Sequence, residues 1–172
     1  MPKWVGLANY KTFFATPDYP VLLFRQIWIG MICLFTNTVL SFILGLALNV
    51  KSHVRGFFRT SVYVPTVAAV SVTTAVFVSL LNPVDGGLNK FLVSIGVGAV
   101  TWNYSQFWMV FWIVVYFVWR SIGPAAVIWL GGLQSIDPSL YEAARVDGAT
   151  RWQEIKYITI PGLKFIAVYI LL

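Results

Sequence analysis

The sequence predicts an all-α protein, a polytopic bundle of transmembrane helices. Of its 172 residues, 59% are hydrophobic and only 10% are charged, and the mean hydropathy is +0.79. A soluble core of this size could not bury so much apolar surface, so lipid should surround most of the chain. The apolar residues also form runs, and a helix needs roughly 20 such residues to cross about 30 Å of hydrocarbon.

Four apolar segments follow one another along the chain. The first covers residues 27–48 and the second residues 61–81, both without a charge, and Pro65 lies one turn inside the second. The third covers about residues 107–133. The fourth, residues 160–172, is still apolar where the sequence stops, although a helix of that length rises only about 20 Å. We therefore expect a fragment with about four spans that ends inside the fourth.

Residues 1–26 are predicted to be an extracytoplasmic interfacial segment, because aromatic side chains suit the headgroup boundary. The aromatic residues concerned are Trp4, Tyr10, Phe13, Phe14 and Tyr19. No continuous apolar core is found there, so a cleavable signal peptide is not indicated. Residues 27–172 then form one transmembrane domain, truncated at its C-terminus, with a polar loop at residues 134–160.

Basic residues predict the orientation. Lys51, Arg55 and Arg59 crowd the loop between the first two spans, which the positive-inside rule assigns to the cytoplasm. By alternation, residues 82–106 face outward and the polar loop returns to the cytoplasm, where it carries further basic residues, namely Arg145, Arg151 and Lys156. The basic residues Lys3, Lys11 and Arg25 fit this orientation less well.

Composition also argues against several function classes. One cysteine and one histidine give no disulfide framework and make a metal site improbable. The net charge of +6 does not predict nucleic-acid binding, because no soluble basic face carries it. No phosphate-binding loop occurs, so the chain is not an ATPase. All six acidic residues lie outside the spans, which disfavours a proton relay, and no His, Cys or carboxylate cluster suggests an enzyme.

Polar residues inside the spans have two interpretations each. Asn37 and Thr38 either face a solute pathway or bond a neighbouring helix. Arg120 would cost roughly 2.5 to 3.5 kcal/mol at mid-bilayer. One interpretation is that Arg120 is a pore-facing donor for a polar solute. The other, which we favour, is that it pairs with carbonyls freed near Gly123-Pro124 or extends to an interface. Gly123-Pro124 itself indicates a helix kink, with direct substrate contact as the alternative.

Signals for helix ends are dense in the polar loop. Asp137 and Pro138 suit the N-cap and first helical position, since proline lacks the amide that would be unpaired there. Gly148 can take positive φ and end this helix. Thr150 and Gln153 form a capping-box pair that begins a second short helix.

The two short helices should form a compact projection. Pro161 is expected to close the second helix and admit the next span. Small side chains at Ala143 and Ala144 would let another surface approach closely, as in a helix-in-groove contact with a soluble partner. The alternative is a pair of interfacial helices that lies passively on headgroups, aided by Trp152.

The spacing of Glu142-Ala143-Ala144, Gly148, Ile158 and Pro161 resembles the EAA signature of bacterial ABC importer permeases. The match departs at position 160, where isoleucine replaces the usual leucine. Further similar stretches are residues 5–10, 55–60 with Pro65, 82–89 and 132–136. Together they resemble the sugar-importer branch, and its MalF-like rather than its MalG-like member.

This resemblance implies a MetI/MalF-like permease core in the bacterial inner membrane that forms half of a pathway for a carbohydrate. It implies an extracytoplasmic solute-binding protein, a second, MalG-like permease, and a cytoplasmic ABC ATPase dimer that binds ATP and magnesium, so that this chain holds no cofactor. The projection would be the coupling helix: Glu142 anchors to a basic ATPase residue, Ala143 and Ala144 pack closely, and Gly148 provides the turn.

The sequence is compatible with alternatives. Glu142 could be a solvated charge paired with Arg145 at i+3, worth a few tenths of a kcal/mol, although we favour the anchor. The solute could be glycerol phosphate, a polyamine or a peptide. A scaffold or channel subunit would tolerate disruption of the Glu142–Gly148 region.

Overall fold

The computed structural model describes residues 4–50 and 55–171, and all regular structure in these ranges is helical. The α-helices are α1 (Ala8–Ala15), α2 (Asp18–Asn49), α3 (Arg55–Val67), α4 (Val70–Leu80), α5 (Gly87–Ser94), α6 (Gln106–Ser135), α7 (Pro138–Val146), α8 (Arg151–Glu154), α9 (Ile160–Gly162) and α10 (Lys164–Leu171). A 3-10 turn covers Trp102–Tyr104 and a π-helical turn covers Ile155–Thr159. The predicted all-α fold class is confirmed.

Helices α2 and α6 are long and apolar enough to cross a membrane. They run parallel and meet at Gly45, where an added Cβ would lie 2.8 Å from the Cβ of Trp129. Glycine permits this close approach of two helix backbones, as is usual between helices in lipid. The buried indole N–H of Trp129 also donates to the hydroxyl of Ser41 at 3.0 Å. This crossing forms the centre of the core, together with Leu48, Ala126, Leu130, Leu133 and Leu163.

The predicted second span is not one straight helix. The chain breaks at Ala68–Ala69, and the two halves, α3 and α4, are bent by 93°. Contacts with α6 follow in antiparallel order along both halves: Val62 packs on Gly123, and Thr73 bonds Tyr116 at 2.9 Å. The order of these contacts indicates a single broken span rather than a segment that returns to its starting side.

Other helix boundaries differ from the predicted spans. Helix α2 begins at Asp18, well before residue 27, so the end of the predicted interfacial segment continues directly into the first span. Helix α6 agrees with the predicted third span to within two residues at either end. The predicted fourth segment contains the short helices α9 and α10, and neither is long enough to count as a span.

The loop between α4 and α6 is held by two asparagines. The side-chain oxygen of Asn82 accepts from the amides of Val84 and Asp85, which stabilises a turn at Asn82-Pro83. Asn89 is buried, donates to the carbonyls of Pro83 and Val100, and accepts from the Val100 amide at 3.1 Å. This loop lies at the N-terminal end of α6, opposite to the end that carries α7 and α8.

Candidate functional site

Residues 137–159 form the polar hairpin, composed of α7, the turn at Gly148, α8 and the π turn. Its first helix begins as predicted: the Asp137 carboxylate accepts a 2.9 Å hydrogen bond from the Ser139 amide, and Pro138 is the first helical residue. Hydrogen bonds from Ser139, first from its backbone and then from its side chain, lower the pKa of Asp137. The capping box of Thr150 and Gln153 is also confirmed, with both reciprocal bonds present.

Gly148 ends α7 in the left-handed region, with φ of 79°. The Ala149 amide donates to the Ala144 carbonyl at 2.9 Å, and the Gly148 amide donates to the Arg145 carbonyl at 3.1 Å. This pair of bonds is a Schellman motif, which satisfies carbonyls at a helix end and favours glycine at the position with positive φ. The predicted role of Gly148 as the turn residue of the hairpin agrees with this geometry.

An ion pair joins the two halves of the hairpin. The Nε of Arg145 donates to Oε1 of Glu154 at 2.8 Å, and this is the only salt bridge among the side chains that the structure describes. The bond to Glu154, followed by the charge of that carboxylate, raises the pKa of Arg145. Arg145 therefore pairs across the turn with Glu154, and not with Glu142 at i+3 as one alternative held.

Glu154 is the residue that sequence reasoning missed. It was treated as one more acidic residue outside the spans, yet its side chain is only 6% exposed. A signal was present: from the start of α8, Glu154 falls on the same helical face as Ile155 and Ile158, which is the apolar face of that segment. A carboxylate on an apolar face predicts a buried partner.

The second half of the hairpin does not end at Pro161, which corrects the prediction. Helical structure continues from α8 through the π turn into α9, and the Ile160 amide donates to the Ile155 carbonyl. An α-helical turn would press the ring of Pro161 against the carbonyl of residue 157, so a wider turn before the proline relieves that clash. Pro161 is exposed, whereas Ile158 is half-buried.

The outer surface of the hairpin exposes three large apolar side chains among its polar and charged residues. Leu140 is 52% exposed, Val146 is 88% exposed and Trp152 is 68% exposed. Ala143 is exposed between these larger side chains, and Ala144 is half-buried. The structure therefore places Glu142 and Ala143 on the surface, Ala144 and Gly148 at the turn, and Ile158 and Pro161 near the base of the hairpin.

A cleft of about 610 Å³ separates the hairpin from the C-terminal end of α2. Its walls include Asn49 and Val50 on one side and Glu142, Arg145 and Arg151 on the other. The end of α2 leads to the basic loop at residues 50–60, of which Lys51 lies outside the described residues. The two loops that were predicted to be cytoplasmic therefore lie at the same end of the bundle.

The polar residues inside the spans have different surroundings. The Nη1 of Arg120 donates to the carbonyls of Ala68 at 2.9 Å and Pro65 at 3.2 Å, and its own carbonyl accepts from the hydroxyl of Thr66. Its partners are thus carbonyls at the α3–α4 break rather than near Gly123-Pro124. Thr38 bonds the Leu34 carbonyl in its own helix at 2.7 Å.

Gly123 has a packing role that neither sequence interpretation included. An added Cβ at this position would collide with the backbone of Val62 and lie 3.2 Å from the Cα of Tyr63. The absence of a side chain therefore lets α3 approach α6, as small residues do at helix contacts in membranes. Pro124 lies inside α6, and the helix continues on both sides of it.

Asn37 is only 7% exposed, and its side-chain oxygen has no hydrogen-bond partner among the described residues. It borders a cavity of about 510 Å³ between α2, α6 and α10, together with Ser121, Pro124, Ala125, Ile128, Tyr169 and Ile170. A buried amide oxygen without a partner costs free energy, so a ligand or water that donates to it would be stabilised. In the described ranges, no three His, Cys or acidic residues are grouped as metal ligands.

Known proteins resemble this chain over nearly its whole length. The polygalacturonan/rhamnogalacturonan transport system permease protein YteP of Bacillus subtilis (strain 168) is 29% identical over 99% of the chain. The trehalose/maltose transport system permease protein MalF of Thermococcus litoralis is 29% identical over 98% of it. A crystal structure of a bacterial ABC transporter involved in the import of the acidic polysaccharide alginate superposes on 96% of the chain with a TM-score of 0.86 and 30% identity.

The chain spans 54% and 57% of the length of these two relatives and 59% of the solved chain. The sequence profile described as "Binding-protein-dependent transport system inner membrane component" matches residues 37–171, which include the C-terminal part of α2, all of α6 and the polar hairpin. The resemblance to ABC importer permeases is thereby confirmed, and the chain belongs to the family of inner membrane components of binding-protein-dependent transport systems.

Proposed function

We propose that this chain is part of the permease subunit of an ABC importer for a carbohydrate, and that it forms half of the translocation pathway. An extracytoplasmic binding protein delivers the solute, a second permease completes the pathway, and a cytoplasmic ATPase dimer binds ATP and magnesium and supplies the energy. Support comes from relatives whose names refer to transport of polygalacturonan or rhamnogalacturonan and of trehalose or maltose.

The observation that carries the proposal is the surface of the polar hairpin. Ala143 is exposed between Leu140 and Val146, so a groove on another protein can approach the helix backbone closely. The hairpin is joined to α6 at one end and to α10 at the other. Force applied to this surface therefore reaches α6 and α10, two of the three helices that border the cavity at Asn37.

Glu142 is proposed as the polar anchor to the ATPase. Its side chain is exposed, and the guanidinium nearest in sequence, that of Arg145, forms its salt bridge with Glu154 instead. The Glu142 carboxylate is thus available to a basic residue of a partner, although Arg145 remains close enough to be influenced by its charge. Ala143, Ala144, Gly148, Ile158 and Pro161 are proposed to complete the coupling region.

Asn37 is proposed to face the solute. A carbohydrate hydroxyl that donates to its unpartnered amide oxygen would remove the cost of burying that oxygen. Thr38 and Arg120 were predicted for the same pathway; both use hydrogen-bonding groups on backbone carbonyls, and their contact with solute stays a prediction. Uptake should fall in an Asn37→Leu variant while ATPase association is retained.

The test is purification of the full-length tagged permease from its own membranes, followed by reconstitution in liposomes with ATP. An ATPase, a second permease and a binding protein should co-purify, and a radiolabelled oligosaccharide should accumulate only with ATP. Glu142→Lys should weaken ATPase association, whereas Asp85→Asn, at the opposite end of the bundle, should not. A permease that purifies without an ATPase, or carries solute without ATP, would refute the proposal.

A further inference from the structure

We propose that Glu154 and Arg145 form a lock that makes the polar hairpin move as one rigid body, so that the pair positions the coupling surface without touching the ATPase. This inference rests on the proposed function, because it concerns how the hairpin transmits force. Arg145 is in the last turn of α7 and Glu154 ends α8, so their bond closes the hairpin across Gly148.

The two partners of this bond differ in how deeply they are buried. The side chain of Glu154 is 6% exposed, whereas that of Arg145 is 56% exposed. A buried carboxylate is strongly destabilised when its partner is removed, while an exposed guanidinium is readily solvated. The hairpin therefore has one favourable arrangement, in which Arg145 folds back over Glu154, and opening of the hairpin leaves that carboxylate without its cation.

A second bond lies one turn away. The hydroxyls of Tyr141 and Thr159 are 2.9 Å apart, and the Thr159 hydroxyl also donates to the Glu154 carbonyl at 3.3 Å. Tyr141 precedes Arg145 by one turn of α7, and Thr159 follows Glu154 by the length of the π turn. Two bonds, Arg145 to Glu154 and Tyr141 to Thr159, thus join α7 to the second half of the hairpin. Together they resist rotation of one half about the other, whereas a single bond would permit it.

The π turn explains how the side chains of Glu154 and Thr159 can both reach α7. In a regular α-helix, side chains five residues apart point about 140° away from each other. The i→i+5 pattern of the π turn instead brings Thr159 back to the face that carries Glu154. The rare turn is therefore the element that aligns the two bonds.

The lock is separate from the outer surface of the hairpin. Leu140, Val146 and Trp152 are exposed, whereas Glu154 and Thr159 are buried on the inner side. Removal of the ion pair should consequently leave the docking surface in place while the hairpin becomes pliable. Transport and ATP hydrolysis would then become uncoupled, because motion of the ATPase would bend the hairpin instead of moving α6 and α10.

The experiment uses the complete reconstituted importer and measures solute transported per ATP hydrolysed. Arg145→Gln and Glu154→Gln should each lower this ratio at least about fivefold, a coupling change of ordinary size. The double variant should be no worse than either single variant, because both remove the same bond. Arg151→Gln is the matched control: Arg151 borders the same cleft, has no ion pair among the described side chains, and should leave the ratio unchanged.

A rescue experiment distinguishes loss of rigidity in the hairpin from misfolding of the variant. With Cys33→Ser as background, Arg145→Cys and Glu154→Cys together should be uncoupled until a short bifunctional thiol reagent joins them. A normal ratio in Glu154→Gln, additive losses in the double variant, failure of the crosslink to restore coupling, or loss of the ATPase from the variant complex would each overturn the lock. A wild-type complex without an ATPase or ATP-dependent transport would instead refute the proposed function itself.

Discussion

The guanidinium of Arg120 donates a 2.9 Å hydrogen bond to the carbonyl of Ala68, at the point where α3 gives way to α4. A second bond from the same nitrogen reaches the Pro65 carbonyl. Carbonyls at a helix end need partners, and inside a bilayer water does not provide them. The positive charge of Arg120 in α6 and the break between α3 and α4 therefore depend on each other, since each would be unfavourable without the other.

Arg120→Met should destabilise the α3–α4 break by about 1.5–3 kcal/mol, the usual contribution of hydrogen bonds to a charged group. A lower Tm of the detergent-solubilised complex would be the measurement. Lys90→Met, in α5 and exposed, is the control and should leave Tm nearly unchanged. If Arg120→Met keeps its Tm but loses uptake, the arginine would instead be the solute-facing donor.

Gly45→Ala should separate α2 from α6. The new Cβ would lie 2.8 Å from the Cβ of Trp129, and overpacking of this kind costs about 1–3 kcal/mol. Thermal unfolding in detergent would show the loss. Gly30→Ala is a matched control in the same helix, because nothing lies within 4 Å of its added Cβ. Equal Tm values for the two variants would contradict the close crossing.

Gly148→Asp should leave membrane insertion intact and abolish uptake, because the turn no longer sets the angle between α7 and α8. Gly148→Ala should be milder, with a backbone cost of about 1–2 kcal/mol for an alanine at positive φ, and Gly148→Asn milder still. Gly131→Ala is the control, since that glycine is helical and has open space around it. Normal ATPase association of Gly148→Asp in a pull-down would argue against this role.

The start of α7 should depend on pH only under acidic conditions. The pKa of Asp137 is lowered in the folded protein, so its stabilising effect is complete above the unfolded pKa of about 3.9 and is lost as pH falls through the lower folded value. Hydrogen exchange of the Ser139 amide, corrected for intrinsic rates, should show constant protection from pH 8 to about pH 5. In Asp137→Ala the protection should be weak at every pH. A loss of protection near neutral pH would show that another group controls this helix end.

Features that depend on neighbouring residues could be predicted from the sequence. Asp137 with Pro138 and Thr150 with Gln153 form caps through atoms at most three residues apart, so composition and spacing sufficed. The family signature likewise located Gly148. The long apolar runs of α2 and α6 identified both helices because burial in lipid requires length and composition only.

Features that depend on distant partners could not be predicted from the sequence. The acceptors of Arg120 exist only because the chain breaks at Ala68–Ala69, two residues with no helix-breaking character of their own. The pairing of Arg145 with Glu154 rather than Glu142 depends on the angle between two helices, which local spacing does not contain. For the π turn, Pro161 was a signal, but it predicted an end to the helix instead of a wider turn.

The π turn also sets the limits on insertions and deletions in this part of the molecule. A wider turn accommodates one more residue than a regular helix would, so deletion of a single residue from Ile155–Thr159 could be absorbed as ordinary α-helix without breaking the chain. Because the π turn already holds that extra residue, the side chains after the deletion would keep their orientation relative to the hairpin, whereas a second deletion would rotate them by about 100°. Leu163, which packs against Trp129 and Leu133, would be turned away only by the second deletion. We expect related sequences to tolerate the loss of one residue here, but not of two.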